Sequence, residues 1–219
     1  MLSQSIQDYV KTIYHLQANG IVSTTELSKE LKKTGASVTG MLKKLDGMGL
    51  VVYNSYKGVK LSPTGEKIAL EIIRHHRLLE LYLREIMGYS IEKVHNEACR
   101  LEHHISEEFG DKIDNLLGNP KYDPHGHPIP TKDGKIDFSN YITLYEVEAS
   151  STVKIIRLSD HDNELLAYFE KINLLPGIIL KVTEKESLNK LIKIMVNDKE
   201  INLGNDIAKN IYVELVPEW

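Results

Sequence analysis

Residues 23–61 read STTELSKELKKTGASVTGMLKKLDGMGLVVYNSYKGVKL. Ser23 stands three residues ahead of Glu26, the spacing at which a serine hydroxyl and a glutamate carboxylate satisfy each other's backbone N–H groups at a helix start. The pattern predicts a short helix over 25–31 with Leu27 and Leu31 inward, then a turn at KKTG. A second helix over 36–48 buries Val38, Met41, Leu42 and Leu45, and Gly49 stops it. Residues 50–53 and 58–61 read as two strands around NSYK, a hairpin. Helix, glycine-containing turn, helix and hairpin in that order predict a winged helix-turn-helix, whose second helix enters the DNA major groove while the wing follows the backbone. The candidate DNA contacts are Thr34, Ser37, Thr39, Lys43 and Lys44, with Lys57 and Lys60 on the wing. Hydroxyls near a helix start suit phosphates or base edges, and lysines suit phosphates. Gly40 on the same face implies few base contacts and some readout of DNA shape.

Charge agrees with that assignment. The chain has 219 residues and a net charge of -4. Residues 1–75 hold ten lysines and arginines against six acids, +4, so the remainder carries -8. A basic first third on an acidic body predicts one anionic partner at one end. One cysteine excludes an internal disulfide framework and fits a reducing cytoplasm. No membrane-length apolar run and no signal-peptide pattern is present, so no membrane partner is expected.

Upstream, residues 3–17 form an amphipathic helix with Ile6, Tyr9, Val10, Ile13, Tyr14 and Leu16 on its apolar side and Asp8 near its start. Downstream, Pro63 opens a long helix that carries His76 and Glu80 four residues apart. After a short loop at 87–90, residues 94–106 read VHNEACRLEHHIS with helical periodicity: Val94, Ala98, Leu101 and Ile105 make an apolar stripe. Cys99, Glu102 and His103 stand at i, i+3 and i+4, with His95 one turn earlier. A thiolate, a carboxylate and imidazoles on adjacent turns can converge on one divalent transition metal. An ordinary polar helix face beside a buried cysteine is the competing reading. A last short helix is expected over 110–117; these wide apolar faces need a second copy to cover them, which predicts a symmetric homodimer.

Residues 119–137 form a connector rich in Pro and Gly that contains PHGHPIP, with two histidines of the kind that are usually solvated. Strands are then expected at 144–149, 153–158, 178–182, 190–196 and 210–216, interrupted by one helix over 163–172, which suggests a small β-barrel. The fold class expected is mainly α with a small β domain. The domains expected are a winged helix-turn-helix over 1–75, a helical metal-binding and dimerisation domain over 76–120, a linker over 121–142 and an SH3-like domain over 143–219.

These residues together resemble the diphtheria toxin repressor / manganese transport regulator family of metal-dependent transcriptional repressors. The resemblance runs from DYVKTIY near the start, through the winged module and HRLLE, to ACRLEHH, PHGHPIP and a barrel of the FeoA type. It implies a homodimer that binds double-stranded operator DNA when loaded with Mn(II), alternatively Fe(II), with no small-molecule substrate. It places the primary metal site on Asp8, Cys99, Glu102 and His103 and an ancillary site on His76, Glu80 and His95. Asp123, His125 and Asp160 are further candidate ligands, whereas His75 and His104 are not expected to coordinate. Lys11 departs from the manganese-selective pattern, which tends to carry a second carboxylate there. Asp8 paired with Cys99 is a hybrid donor set, hard and soft, and it leans to manganese with iron close behind.

The resemblance further implies that anionic ligands repel one another without metal, leaving the first helix free to shift, and that a bound ion ties that helix to the core. Two other readings of the same residues stand beside it: a metal-independent winged-helix repressor and a divalent-metal enzyme.

Overall fold

The computed structural model describes residues 2–137, 139–186 and 188–216; the last three residues of the expected SH3-like domain lie outside these. The chain divides into two compact units. Met1–His76, Arg100–Gly110 and Pro130–Ile136 make the first; Arg77–Cys99, Asp111–Ile129 and Asp137–Trp219 make the second.

In the first unit, α1 (Gln4–Leu16) ends in one 3-10 turn, and α2 (Thr24–Glu30) and α3 (Gly35–Gly47) follow. The capping box at the start of α2 is complete: Glu26 N–H donates to Ser23 Oγ (3.1 Å), and Ser23 N–H donates to Glu26 Oε2 (2.7 Å). Thr34 caps α3 by accepting from Ser37 N–H (3.3 Å). β1 (Val51–Asn54) and β2 (Gly58–Leu61) pair antiparallel around a turn held by Asn54 Oδ1, which accepts from the N–H groups of Tyr56 and Lys57. α4 (Pro63–Glu85) begins at Ser62, whose hydroxyl accepts from Gly65 N–H (3.1 Å). One core joins these elements. Ile6, Tyr9, Val10 and Ile13 of α1 pack with Leu27, with Val38, Leu42 and Leu45 of α3, with Val51 and Val59 of the hairpin, and with Ala69 and Ile72 of α4. Burying that many aliphatic side chains at about 1.5–3 kcal/mol each makes α1 and α3 parts of one rigid body.

α5 (Ile91–Leu101) stops earlier than its periodicity suggests. Glu102, His103 and His104 form a turn, closed by His104 N–H to the Leu101 carbonyl (2.9 Å). Ser106 then starts α6 (Glu107–Leu116), its hydroxyl accepting from Phe109 N–H (3.2 Å). Glu102 and His103 therefore leave the helix face that their spacing assigns them to.

The second unit holds a six-stranded antiparallel sheet in the order β3-β8-β4-β5-β6-β7. Its strands are β3 (Ile142–Thr143), β4 (Thr152–Leu158), β5 (Ile179–Glu186), β6 (Leu191–Val196), β7 (Lys199–Gly204) and β8 (Ile211–Leu215), with α7 (Asn163–Lys171) and α8 (Asn205–Ala208) between them. Val153, Ile155, Leu158, Val182, Ile192, Ile194 and Val213 line one core with Leu166 and Phe169 of α7 and with Ile91. The expected strand at 144–149 is a turn instead. Glu146 Oε2 accepts from both the N–H and the hydroxyl of Thr143, which curls the chain and buries Leu144 and Val147 at i and i+3. β7 and α8 are absent from the sequence reading. Among the described residues, no helix is long and apolar enough to cross a membrane.

Candidate metal centres

In the first unit, Asp8, Glu102 and His103 each bring one ligand atom within 4.8 Å of the others. Asp8 projects from the half-exposed side of α1, and its neighbours Ile6, Tyr9 and Val10 are buried. His103 Nε2 lies 3.0 Å from Asp8 Oδ1 and 3.3 Å from Glu102 Oε1. The other nitrogen of His103 donates to Gln7 Oε1 (2.7 Å), and the Gln7 amide is held in that orientation by its own donation to the Leu2 carbonyl (3.1 Å). Gln7 thus keeps the proton on Nδ1 and leaves Nε2 as the donor lone pair, the usual second-layer arrangement for a metal-ligating histidine.

Glu102 is 4% exposed. Its Oε2 accepts from His76 Nδ1 (2.6 Å), and the Lys11 ammonium donates to both oxygens, at 2.9 and 2.7 Å. Burial pushes this carboxyl up, but the His76 and Lys11 contacts outweigh it and hold it below its ordinary value. Asp8 goes the other way: burial, with the Glu102 charge adding, raises it against the pull of His103 and Lys11. A cavity of about 220 Å³ lies beside the cluster, walled by Leu2, Gln7, Ile72, His75, Glu102 and His103. Burial pushes the His75 imidazole below its ordinary pKa.

In the second unit, the 123–127 loop forms a second cluster. Asp123, His125 and His127 bring ligand atoms within 4.8 Å of one another. Asp123 Oδ1 builds the loop by accepting from the N–H groups of His125 (2.8 Å) and His127 (2.9 Å). Gly126, at φ +89°, packs where a Cβ would strike the Ile156 carbonyl, and the His125 carbonyl accepts from Leu158 N–H, so the loop is pinned to β4. His125 is fully buried and its Nε2 donates to the Ile91 carbonyl (3.4 Å). Its Nδ1 faces Glu80 Oε2 at 3.8 Å and Asp123 Oδ1 at 3.9 Å, and among the described residues it has no hydrogen-bond partner. A buried imidazole nitrogen left bare between carboxylates is costly unless something else occupies the gap, and a divalent ion is the group those donors suit. Burial lowers the His125 pKa, but Glu80, Asp123 and Asp160 raise it further, so the net shift is upward. Asp160 adds a carboxylate 3.9 Å from His127 Nδ1, and its pKa is low because the histidines outweigh its burial.

Both donor sets fit a first-row divalent ion. The ancillary candidates divide between the units. His76 joins Glu102 in the first. In the second, His95 Nδ1 donates to Glu80 Oε1 (3.1 Å). Cys99, expected among the primary ligands, lies outside the Asp8–Glu102–His103 group and falls in the second unit, its Sγ 3.6 Å from His95 Nε2, because α5 ends at Leu101 and Glu102 and His103 turn off its face. Three residues missing from the sequence-based site are Gln7, Lys11 as a direct partner of Glu102, and His127. His127 left a trace in the PHGHP spacing, and Lys11 in standing where the manganese-selective pattern tends to carry a carboxylate.

Of the candidate DNA contacts, Thr34, Ser37, Lys43, Lys44, Lys57 and Lys60 are exposed and Thr39 is half-buried. The outward edge of α3 is small and polar at its start and cationic further on.

Residues 1–59 match the iron dependent repressor N-terminal DNA binding domain, residues 62–131 the iron dependent repressor metal binding and dimerisation domain, and residues 142–215 the FeoA domain. The diphtheria toxin repressor of Corynebacterium diphtheriae is 29% identical, the match spanning 97% of this chain and 98% of that protein. The HTH-type transcriptional regulator MntR of Lysinibacillus sphaericus is 37% identical over 118 residues, 53% of this chain and 84% of that protein. A solved manganese-dependent transcriptional repressor in complex with manganese superposes with a TM-score of 0.86 at 32% identity, over 96% of this chain and 99% of that one. With a winged module, an SH3-like FeoA domain and two donor clusters on its helices and loops, the chain belongs to the iron-dependent repressor family of metal-dependent, DNA-binding transcriptional regulators.

Proposed function

We propose that this chain represses transcription of metal-uptake genes in the cytoplasm, binding operator DNA as a homodimer when loaded with Mn(II) or alternatively Fe(II). Its family is one of DNA-binding repressors rather than enzymes. The observation that carries the mechanism is the double duty of α1. One side of that helix brings Asp8 to Glu102 and His103, and the other shares a core with Val38, Leu42 and Leu45 of the recognition helix α3. When bound, the ion supplies a divalent charge that neutralises the two carboxylates and accepts the His103 lone pair.

The chain's own residues do the rest. Asp8 ties α1 to the turn after α5, Gln7 holds His103 in the ligating tautomer, and His76 orients Glu102. Holding α1 holds α3, because the two are packed as one body. In a two-fold dimer, that fixes the separation of the recognition helices over two half-sites. Metal and operator then strengthen each other's binding by the same factor. Glu80, Asp123, His125, His127 and Asp160 supply a second centre in the FeoA-bearing unit. In this arrangement residues 1–75 are the DNA-binding domain, 76–120 the metal-binding and dimerisation domain, 121–142 the linker and 143–219 the SH3-like domain.

Anaerobic electrophoretic shift of an operator duplex, with chelator-treated protein titrated with Mn(II), Fe(II) or Zn(II), tests the proposal. Operator binding should appear with metal and disappear with chelator. Equal binding in both conditions defeats it.

A further inference from the structure

We propose that Lys11 is a tethered cation that competes with the divalent ion for Glu102, so that metal loading at the Asp8–Glu102–His103 centre is an exchange whose threshold Lys11 sets. The proposal rests on the reading of those three residues as ligands. Lys11 lies three residues after Asp8, one turn along α1, and its ammonium reaches both oxygens of Glu102, at 2.9 and 2.7 Å.

Three acceptor positions of that carboxylate are taken: Oε1 accepts from Lys11, and Oε2 accepts from Lys11 and from His76 Nδ1, while the His103 Nε2 lone pair lies 3.3 Å from Oε1. A carboxylate offers about four acceptor positions, and a divalent ion at the one left on Oε1, toward His103 Nε2, sits beside the Lys11 ammonium and repels it. Lys11 is the member that can leave. Its side chain is 16% exposed, against 7% for His76 and 3% for His103. Its ammonium sits on a flexible stem that can swing into water without stranding a charge.

Two consequences follow for this chain. Lys11 already joins α1 to Glu102 without an ion, so the two carboxylates Asp8 and Glu102 need not repel α1 away. A fixed positive charge beside the centre also lowers its affinity for any divalent ion, so the protein responds only at higher free metal. The ion then gains Asp8 and His103 in addition to Glu102, which Lys11 alone cannot bridge.

The test is calorimetric titration of chelator-treated, full-length protein with Mn(II), alongside thermal melting before and after loading. Glu102→Gln identifies which binding step belongs to this centre. Lys11→Met should bind Mn(II) about tenfold more tightly at that step, about 1.4 kcal/mol, yet melt at a lower temperature than wild type before loading. Lys11→Gln should shift both readouts in the same directions. Lys11→Arg, which keeps the charge, should bind no tighter than wild type. A merely structural lysine would lower the melting temperature and leave affinity unchanged or weakened; that result overturns the proposal. If Glu102→Gln changes no binding step at all, the ligand assignment itself fails, and the exchange with it.

Discussion

Replacing Glu102 with Gln keeps the side chain's size and one oxygen but removes its charge. The carboxylate accepts two bonds from Lys11 and one from His76, at 2.9, 2.7 and 2.6 Å. Bonds to a charged group contribute about 1.5–3 kcal/mol each when buried. Lys11 can return to water, so the net destabilisation before metal loading should be only about 1–2 kcal/mol, about 2–8 °C in melting temperature for a chain of this size. The effect on regulation should be larger. A metal–operator coupling of about 1–3 kcal/mol, 5- to 150-fold in affinity, should vanish, because Asp8 and His103 alone no longer form the centre. The assay is fluorescence anisotropy of a labelled duplex selected for binding by Mn(II)-loaded wild type, read with Mn(II) and with chelator. Glu102→Gln should show the same weak binding in both, falling steeply with salt as purely electrostatic association does. Full metal enhancement in this variant would refute the role of Glu102, whatever the change in stability.

Lys43→Ala should weaken binding to all duplexes alike and reduce the slope of log K against log salt by about 1, measured by anisotropy over a salt series. Ser23→Ala removes the hydroxyl half of the α2 capping box and should destabilise the winged module by about 1 kcal/mol in chemical denaturation, with Mn(II) affinity unchanged. Gly126→Ala puts a methyl group against the Ile156 carbonyl at a positive φ, so it should displace His125 and lower by one the number of Mn(II) ions bound per chain, counted by elemental analysis after dialysis.

The winged module was legible because its signals are local. The Ser23/Glu26 box, the glycine-containing turn and the alternation of core residues are each written within a few positions, and each corresponds to an observed cap, turn or buried face. The end of α5 was hidden for the opposite reason. Its periodicity runs on to Ile105, but Glu102 and His103 gain more from partners at Lys11, His76, Gln7 and Asp8 than from another helical turn, and tertiary bonds override local pattern. Ser106 followed by two glutamates carries the signal for the new helix start, which the expected helix over 110–117 missed; α6 begins at Glu107. The Lys11–Glu102 bond joins residues 91 positions apart, and no spacing rule reaches that far. β7 could have been read: Asn197-Asp198 adopts positive φ at both positions, the two-residue hairpin turn those residue types favour. His127 looked like a solvated loop histidine because the Asp123 carboxylate that turns its loop inward acts only in three dimensions.

The account depends on one ion joining α1 to the turn after α5. Anomalous diffraction at the manganese edge from Mn(II)-loaded crystals measures this most directly. The account predicts a peak within coordination distance of Asp8, Glu102 and His103, with the Lys11 ammonium withdrawn from at least one Glu102 oxygen. A fully loaded crystal with no peak there, and Lys11 still on both oxygens, would contradict it.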